Sequence, residues 1–305
     1  MRDPLYVRTL YPPDGRQIQG LLMAHLAATP YCSAMDEAQV QEQCFLPAPP
    51  GVHEVQWLRH QVLGAMVDER LIGFIHIGVG FDQETLHLVG RRPFGLLRFL
   101  ALPQEYLSAG RTARLLLQAA DDYWREQGVA WVRAFTLSTG YPAFQLGAGL
   151  LPAAWEDHLR WLTEAGYRLV ERYYTMRFPL ERLIMEPLPA VGCTFWPRSQ
   201  GPERHYQLFD GETLLGYART LERTVMEPAE ANPVAYLSDL GVAKAQREQG
   251  VDRWLLRRLI NDATLRGCRD LVAHVNHRDR HRFTLFSGAG FEETATRGYT
   301  LEKQL

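Results

Sequence analysis

The chain has 305 residues, which at roughly 150 residues per domain predicts two domains. Apolar residues make up 46% and charged residues 22%, the balance of a globular chain long enough to bury its own core. Lys and Arg number 33 against 35 Asp and Glu, a net charge of −2, which excludes a protein that coats nucleic acid by bulk positive charge.

The four cysteines, Cys32, Cys44, Cys193 and Cys268, are too sparse for a disulfide framework and form no CxxC pair. Free thiols in a reducing compartment are the expectation. The N-terminal MRDPLYVRTLYPPDG has no apolar signal core, and no run reaches the about 18 apolar residues that a membrane-crossing helix needs. The composition therefore predicts a cytoplasmic protein with neither a nucleic-acid nor a membrane partner, as a monomer or a homodimer.

In chain order, the acidic turn at Asp68-Glu69 opens a strand over 72–79, followed by a strand over 97–102. After Gly110 an apolar stripe at Ala113, Leu116, Leu117 and Ala120 predicts a helix of about four turns, closed by Gly128. A strand over 131–136, an insertion around 137–157, a second helix and Ala165-Gly166-Tyr167 precede a strand carrying Tyr174-Thr175-Met176. Prolines at 179, 187 and 189 break the segment PLERLIMEPLPAVG, so the domain join is placed near 184. The same landmarks then recur. After a strand over 206–209, the acidic turn at Asp210-Gly211 opens a strand over 214–220, a strand over 235–242 follows, and Gly250 leads a helix with apolar residues at 255, 256, 259, 260 and 263. Gly267, a strand over 270–275, Ala289-Gly290-Phe291 and Tyr299-Thr300-Leu301 complete the second series. Landmarks repeated in one order indicate a duplication, residues 1–183 and 184–305, and strands alternating with helices indicate a mixed α/β sheet in each copy.

The most informative stretch runs from Ala235 to Leu256: a strand, a turn with Arg247-x-x-Gly250, and an amphipathic helix. Backbone N–H groups converge where such a helix begins, its macrodipole is positive there, and glycine lets an anion approach the backbone. Asp239-Leu240-Gly241-Val242 followed by Arg247-x-x-Gly250 resembles the GNAT superfamily of acyl-CoA-dependent N-acetyltransferases, in which a strand ending in Val meets Arg/Gln-x-x-Gly-x-Gly/Ala. Residues 271–291, ending in Gly290-Phe291, are similar to the strand–helix segment that follows in that family. The likeness covers nearly the whole chain as two tandem copies, a layout similar to that of mycothiol synthase-like proteins.

The resemblance implies two tandem acyltransferase domains of mixed α/β fold, acetyl-CoA as cofactor, and an amine of a small molecule or peptide as acceptor. It places the cofactor on Leu240, Val242, Arg247, Gln249, Gly250 and Val251 in the second copy. In the first copy, Leu102 and then Leu107-x-x-Gly110-x-Thr112 are the looser counterpart, with Ser108, Ala109, Gly110, Arg111 and Thr112 in the turn. The second copy departs from the pattern at Asp252, where the family has Gly or Ala, so a carboxylate faces the pyrophosphate unless it turns toward Arg253. In the following helix, Asp279, Arg282 and Phe286 stand where the family often has Asn, Ala and the Tyr that protonates the leaving thiolate. Phe286 donates no proton, and Leu162 of the first copy is equally inert.

Acyl transfer from a thioester asks for a positioned, unprotonated amine, a polarised carbonyl and a base acting directly or through water. Asp239, Tyr236 and Ser238 are the candidates in copy two, and Glu105 and Tyr106 in copy one. Strict strand alternation puts Tyr236 and Ser238 on one face and Asp239 on the other, unless a bulge intervenes. His277 and His281 have the i, i+4 spacing of metal ligands, but no further ligand motif accompanies them, and no metal is expected. Between Lys244 and Arg282 there are 10 Lys/Arg against 5 Asp/Glu, a local basic patch suited to a phosphate-rich cofactor. Phosphate-loop, nucleophile-elbow and dinucleotide motifs are absent. Two functions survive: an N-acetyltransferase with one catalytic and one structural copy, and a non-catalytic tandem that binds CoA as a sensor or assembly partner.

Overall fold

A computed structural model describes residues 5–87, 90, 92–103, 106–187, 193–226 and 232–305. Its strands and helices in chain order are β1 (Tyr6–Thr9), α1 (Gly15–Ala27), α2 (Glu37–Phe45), β2 (Gln56–Val67), β3 (Arg70–Phe81), β4 (Phe94–Ala101), α3 (Tyr106–Glu126) and β5 (Trp131–Ala134). Then follow β6 (Leu151–Pro152), α4 (Glu156–Glu164), β7 (Arg168–Pro179), β8 (Cys193–Gln200), β9 (Glu203–Asp210) and β10 (Thr213–Arg223). The last are β11 (Val234–Val242), α5 (Lys244–Glu248), α6 (Val251–Leu265), β12 (Asp270–Asn276), α7 (Arg280–Ala289) and β13 (Glu292–Gln304). Two compact units form: Met1–Arg172 with Gly298–Leu305, and Tyr173–Arg297.

In the first unit β1 to β4 make an antiparallel meander, and α3 carries the chain across to β5, which runs parallel to β4 from Gly95↔Val132 to Leu97↔Ala134. The stripe predicted on α3 is the buried one: Ala113, Leu116, Leu117 and Ala120 pack with Ile75, Leu97 and Trp124 in one core. Gly128 ends the helix at φ 69°, a left-handed conformation that costs glycine nothing. The second unit repeats the plan with β9, β10 and β11 antiparallel and β12 parallel to β11 from Val234↔Asp270 to Tyr236↔Val272. Leu255, Leu256, Leu259, Ile260 and Ala263 of α6 are buried on that sheet, and Gly267 at φ 75° closes the helix. Where the sequence left room for little before β9, the chain forms β8 as a further antiparallel strand, Cys193↔Asp210 to Gln200↔Glu203.

Each unit is closed by a strand from the other copy. Residues 173–179 of β7 pair antiparallel with β12 (Tyr173↔Asn276 to Pro179↔Asp270), whereas the end of β13 pairs antiparallel with β5 (Leu301↔Ala134 to Gln304↔Trp131). These are the strands carrying the repeated Tyr-Thr-Met and Tyr-Thr-Leu landmarks. The units therefore divide at 172/173 and 297/298, whereas the landmarks in chain order place the join near 184.

Both copies carry a one-residue bulge at the same point of the sheet. On β4 the pairs His76↔Phe99 and Ile77↔Leu97 leave Arg98 as the extra residue. On β11 the pairs Arg219↔Asp239 and Thr220↔Leu237 leave Ser238. In each unit the parallel pairing ends just before the bulge, at Leu97 and at Tyr236, so the two parallel strands part company there. A bulge bends its strand and interrupts the ladder, which is how a sheet opens a gap without a break in the chain.

Candidate active site

The bulge at Ser238 corrects the strict alternation along β11. Ala235, Leu237, Leu240 and Val242 face the apolar core under α6, so Tyr236, Asp239 and Gly241 share the opposite face. Ser238 itself turns its hydroxyl to the carbonyl of Arg219 at 3.2 Å. On β10 the residue opposite Gly241 is Tyr217, whose ring lies against that glycine, and any side chain there would collide with it. The Tyr217 hydroxyl hydrogen-bonds to the Asp239 carboxylate, and burial together with that negative neighbour raises its pKa above the usual phenol range. Tyr236 is fully buried beside His274, ring centroids 5.5 Å apart, and desolvation pushes its phenol up as well. Tyr217 was not singled out in the sequence; the duplication held the signal, because its counterpart Phe74 faces Phe99 where Tyr217 faces Asp239.

Three adjoining cavities lie past the bulge, from the end of β11 to the starts of α5, α6 and α7. The largest, about 660 Å³, lies between the starts of α5 and α6 and the length of α7, and is lined by Lys244, Arg247, Arg253, Arg257, Asp252 and His281. A narrow one of about 80 Å³, bounded by Leu240, Arg247, His281 and Arg282, adjoins it. The third, about 400 Å³, opens at Tyr217, Gly241 and Val242. Gly250 supplies the left-handed residue before α6, at φ 79°, and Gln249 ends α5. The first-turn N–H groups of α6 have no backbone partner within their own helix. Arg247 Nε donates to the carbonyl of Val242 at 2.8 Å, tying the basic turn to the end of β11, while Leu240, Val242 and Val251 are buried.

Asp252 neither leaves the site nor stands unpaired. One carboxylate oxygen accepts the backbone N–H of Arg253 at 2.8 Å and the other lies 3.0 Å from His281 Nε2. His281 is thus held across the helix ends by Asp252; among the described residues no group of three or more His, Cys, Asp or Glu could hold a metal. Asp279 caps α7 through the N–H of Arg282 at 3.0 Å, Arg282 Nη2 donates to the carbonyl of Leu240 at 3.0 Å, and Phe286 is buried.

The corresponding place in the first unit is filled. Arg98, fully buried at its bulge, donates from Nε to the carbonyl of Thr139 at 2.8 Å and from Nη2 to Gln43 Oε1 at 2.6 Å, with Tyr141 4.4 Å away under its guanidinium. His25 Nε2 sits 3.0 Å from the N–H of Leu102. Ser108, Ala109, Gly110, Arg111 and Thr112 lie inside α3, which begins at Tyr106, so the amides of the later ones belong to the helix and are not free for an anion. A side chain on Gly110 would meet the Trp161 ring at 3.1 Å, and Thr112 and Leu162 are fully buried. Glu105 falls outside the described residues.

The comparisons agree with this geometry. Residues 163–291 match the acetyltransferase (GNAT) family model, a span close to the second unit. No curated protein matches the chain in sequence. Among solved structures the chain is similar to a tandem GNAT protein from the clavulanic acid biosynthesis pathway, at TM-score 0.70 and 13% identity over 99% of this chain and 98% of that one. It is also similar to a GCN5-related N-acetyltransferase from Sphaerobacter thermophilus, at TM-score 0.61 and 15% identity over 98% and 95% of the two chains. A third likeness, at TM-score 0.69 and 12% identity, is to a glucosamine N-acetyltransferase region of a fungal multi-domain β-N-acetylglucosaminidase, covering 99% of this chain and 38% of that one. Residues 163–291 thus match the acetyltransferase (GNAT) family model, and the chain as a whole has the fold of a tandem GNAT protein.

Proposed function

We propose that the protein is an acetyl-CoA-dependent N-acetyltransferase acting on a primary amine of a small molecule or peptide, with the second unit catalytic and the first structural. The observation that carries this reading is the open, basic run of cavities past the end of β11, set against the place at Arg98 that the first unit fills with its own residues. The residues fit a phosphate-rich cofactor: Lys244, Arg247, Arg253, Arg257 and His281 outweigh the single carboxylate of Asp252 in one cavity. Those cations and the amides of Val251 and Asp252 at the start of α6 would hold the pyrophosphate. The bound thioester supplies an already activated acyl group. At the far end Asp239 takes the proton that the amine gives up, and Tyr217 fixes the orientation of that carboxylate. Tyr236, beneath Asp239, supports the same face.

In chain order the copies are residues 1–183 and 184–305, and their closing strands have exchanged places. The protein acts in the cytoplasm, where its four free cysteines stay reduced, as a monomer or homodimer with no nucleic-acid or membrane partner. Among the described residues no helix is long and apolar enough to cross a membrane.

Calorimetric titration of acetyl-CoA tests the reading. Native protein and Gly110→Glu bind, whereas Gly250→Glu, which places a carboxylate at the start of α6 and strains a φ of 79°, does not. Absence of binding to native protein at millimolar acetyl-CoA overturns it. One observation favours the second function, a CoA-binding sensor: the side chains of Arg282 and of the Asp252–His281 pair reach into these cavities. Binding without turnover across a panel of amines would select the sensor.

A further inference from the structure

We infer that Arg282 is a catalytic residue that stabilises the sulfur leaving group by its fixed positive charge, in place of a proton donor. The inference rests on the acetyltransferase reading of the second unit.

Among the described residues, the narrow cavity of about 80 Å³ adjoins both the basic cavity that suits the phosphates and the cavity that opens at Tyr217, so it lies on the way of a thioester to the Tyr217–Asp239 end. Arg282 lines that narrow cavity and the one beyond it, and takes no part in the basic cavity. Arg247 reaches all three, but its Nε is tied to the carbonyl of Val242 at the α5 corner. Arg282 is anchored for the task. Its Nη2 donates to the carbonyl of Leu240 at 3.0 Å, and its Nε lies 3.4 Å from Asp279 Oδ2. Nη1 makes no hydrogen bond among the described residues. The guanidinium is close enough to Tyr217 and Tyr236 to favour the charged form of each phenol.

The proton donors nearest to it are committed elsewhere: His281 Nε2, on the wall of the narrow cavity, lies 3.0 Å from the Asp252 carboxylate. Phe286, one turn along α7, is apolar and buried, and the Tyr217 hydroxyl is engaged with the Asp239 carboxylate. A thiol does not need a proton donor. Its ordinary pKa is about 8.5, and an opposite charge within about 4–6 Å lowers such a value by roughly 1–3. A guanidinium never deprotonates near neutral pH, so the charge is present in every turnover.

In the step, the lone pair of the amine nitrogen forms the C–N bond and the C–S bond breaks with its electron pair left on sulfur. Arg282 faces the resulting thiolate, and Asp239 holds the proton released from nitrogen. An amide, a thiolate and one proton balance the thioester and the amine.

The test is an ultraviolet titration of CoA thiolate absorbance in the complex with native protein, Arg282→Gln and Arg282→Lys, with binding of each followed by calorimetry. Native protein should ionise bound CoA at a pH at least one unit below free CoA. Arg282→Lys should retain part of that shift, and Arg282→Gln should abolish it while changing the CoA Kd less than about threefold. Turnover should fall about a hundredfold in Arg282→Gln. Should CoA bind native protein yet ionise like free CoA, or ionise alike in native protein and Arg282→Gln, the role of Arg282 is overturned and the acetyltransferase reading stands. Failure of CoA to bind native protein overturns both.

Discussion

His25 Nε2 lies 3.0 Å from the backbone nitrogen of Leu102 and 3.2 Å from its carbonyl oxygen, so an imidazole from α1 caps the chain just past β4. The ring also meets His158, centroids 5.7 Å apart, inside a cage with Trp155 and Phe99. Apolar burial is incompatible with charge on either ring. It lowers His25 to about 4 and His158 to about 3, from an ordinary histidine value near 6.5.

The pH dependence of stability follows. Unfolded histidines gain protons as pH falls through about 6.5, whereas the folded ones stay neutral until about 4, so the unfolded state binds more protons in that window. Stability from neutral burial is complete above pH 6.5 and is lost as pH falls toward 4. The urea midpoint of the first unit, followed by tryptophan fluorescence, should drop steadily from pH 7 to pH 5. His158→Phe should flatten that slope; an unchanged slope would remove His158 as a cause.

Asp252 is nearly buried, 4% exposed, and its negative charge opposes any anion entering the basic cavity. Removing one like charge a few ångströms from a phosphate relieves about 1 kcal/mol, roughly fivefold in affinity, even at the dielectric of water. Asp252→Asn keeps the shape and leaves His281 a hydrogen-bonding partner. It should tighten acetyl-CoA binding roughly fivefold and steepen its dependence on ionic strength, both read by calorimetry at two salt concentrations. Weaker binding would show that the carboxylate organises the cradle rather than opposing the ligand.

The parts of this site that depend on local chain chemistry were legible before the fold. Gly250, Gly128 and Gly267 adopt the left-handed conformations that their positions demand, and the apolar stripes of α3 and α6 are the buried faces. What depends on a neighbouring strand was not. The bulge at Ser238 exists only in the register of β11 on β10, and it alone puts Tyr236 and Asp239 on one face. The partner of Asp252 is His281, twenty-nine positions away, and no spacing rule connects two helix ends across a cavity. The turn in the first copy looked like a second cradle because Gly110 has the right neighbours in sequence, yet α3 starts early enough to enclose it. Strand exchange is invisible for a simpler reason: two copies with matching landmarks pair equally well with themselves or with each other.

Tyr217 and Asp239 share one hydrogen bond, so their effects on turnover should not add. If Asp239 receives the proton and Tyr217 orients it, Asp239→Asn should lower kcat by about a hundredfold, the lower end of general-base catalysis, without raising the Kd of acetyl-CoA. Tyr217→Phe should cost less, and the double variant should be no slower than Asp239→Asn alone. Independent, multiplying losses would show that Tyr217 acts on the substrate directly. An unchanged kcat in Asp239→Asn would take the carboxylate out of the mechanism.

The exchanged strand makes the stability of the N-terminal unit depend on the C-terminus. Leu301 is fully buried in the core with Trp124, Leu97 and Leu117, Lys303 Nζ pairs with Asp121 of α3, and Glu302 Oε1 lies 3.0 Å from Arg133 Nε of β5. Removing residues 298–305 takes away those contacts together with the β5 ladder from Leu301↔Ala134 to Gln304↔Trp131. The cost of Leu301→Ala alone should be about 2–5 kcal/mol, the range for truncating a buried leucine, and the deletion should cost more. Hydrogen exchange read by mass spectrometry locates the effect. Amides of α3 and β4 should lose protection in both variants, while those of α6 and β11, whose unit is closed by residues 173–179, should keep it. Loss confined to the second unit would mean that β13 closes its own copy and that the strands are not exchanged.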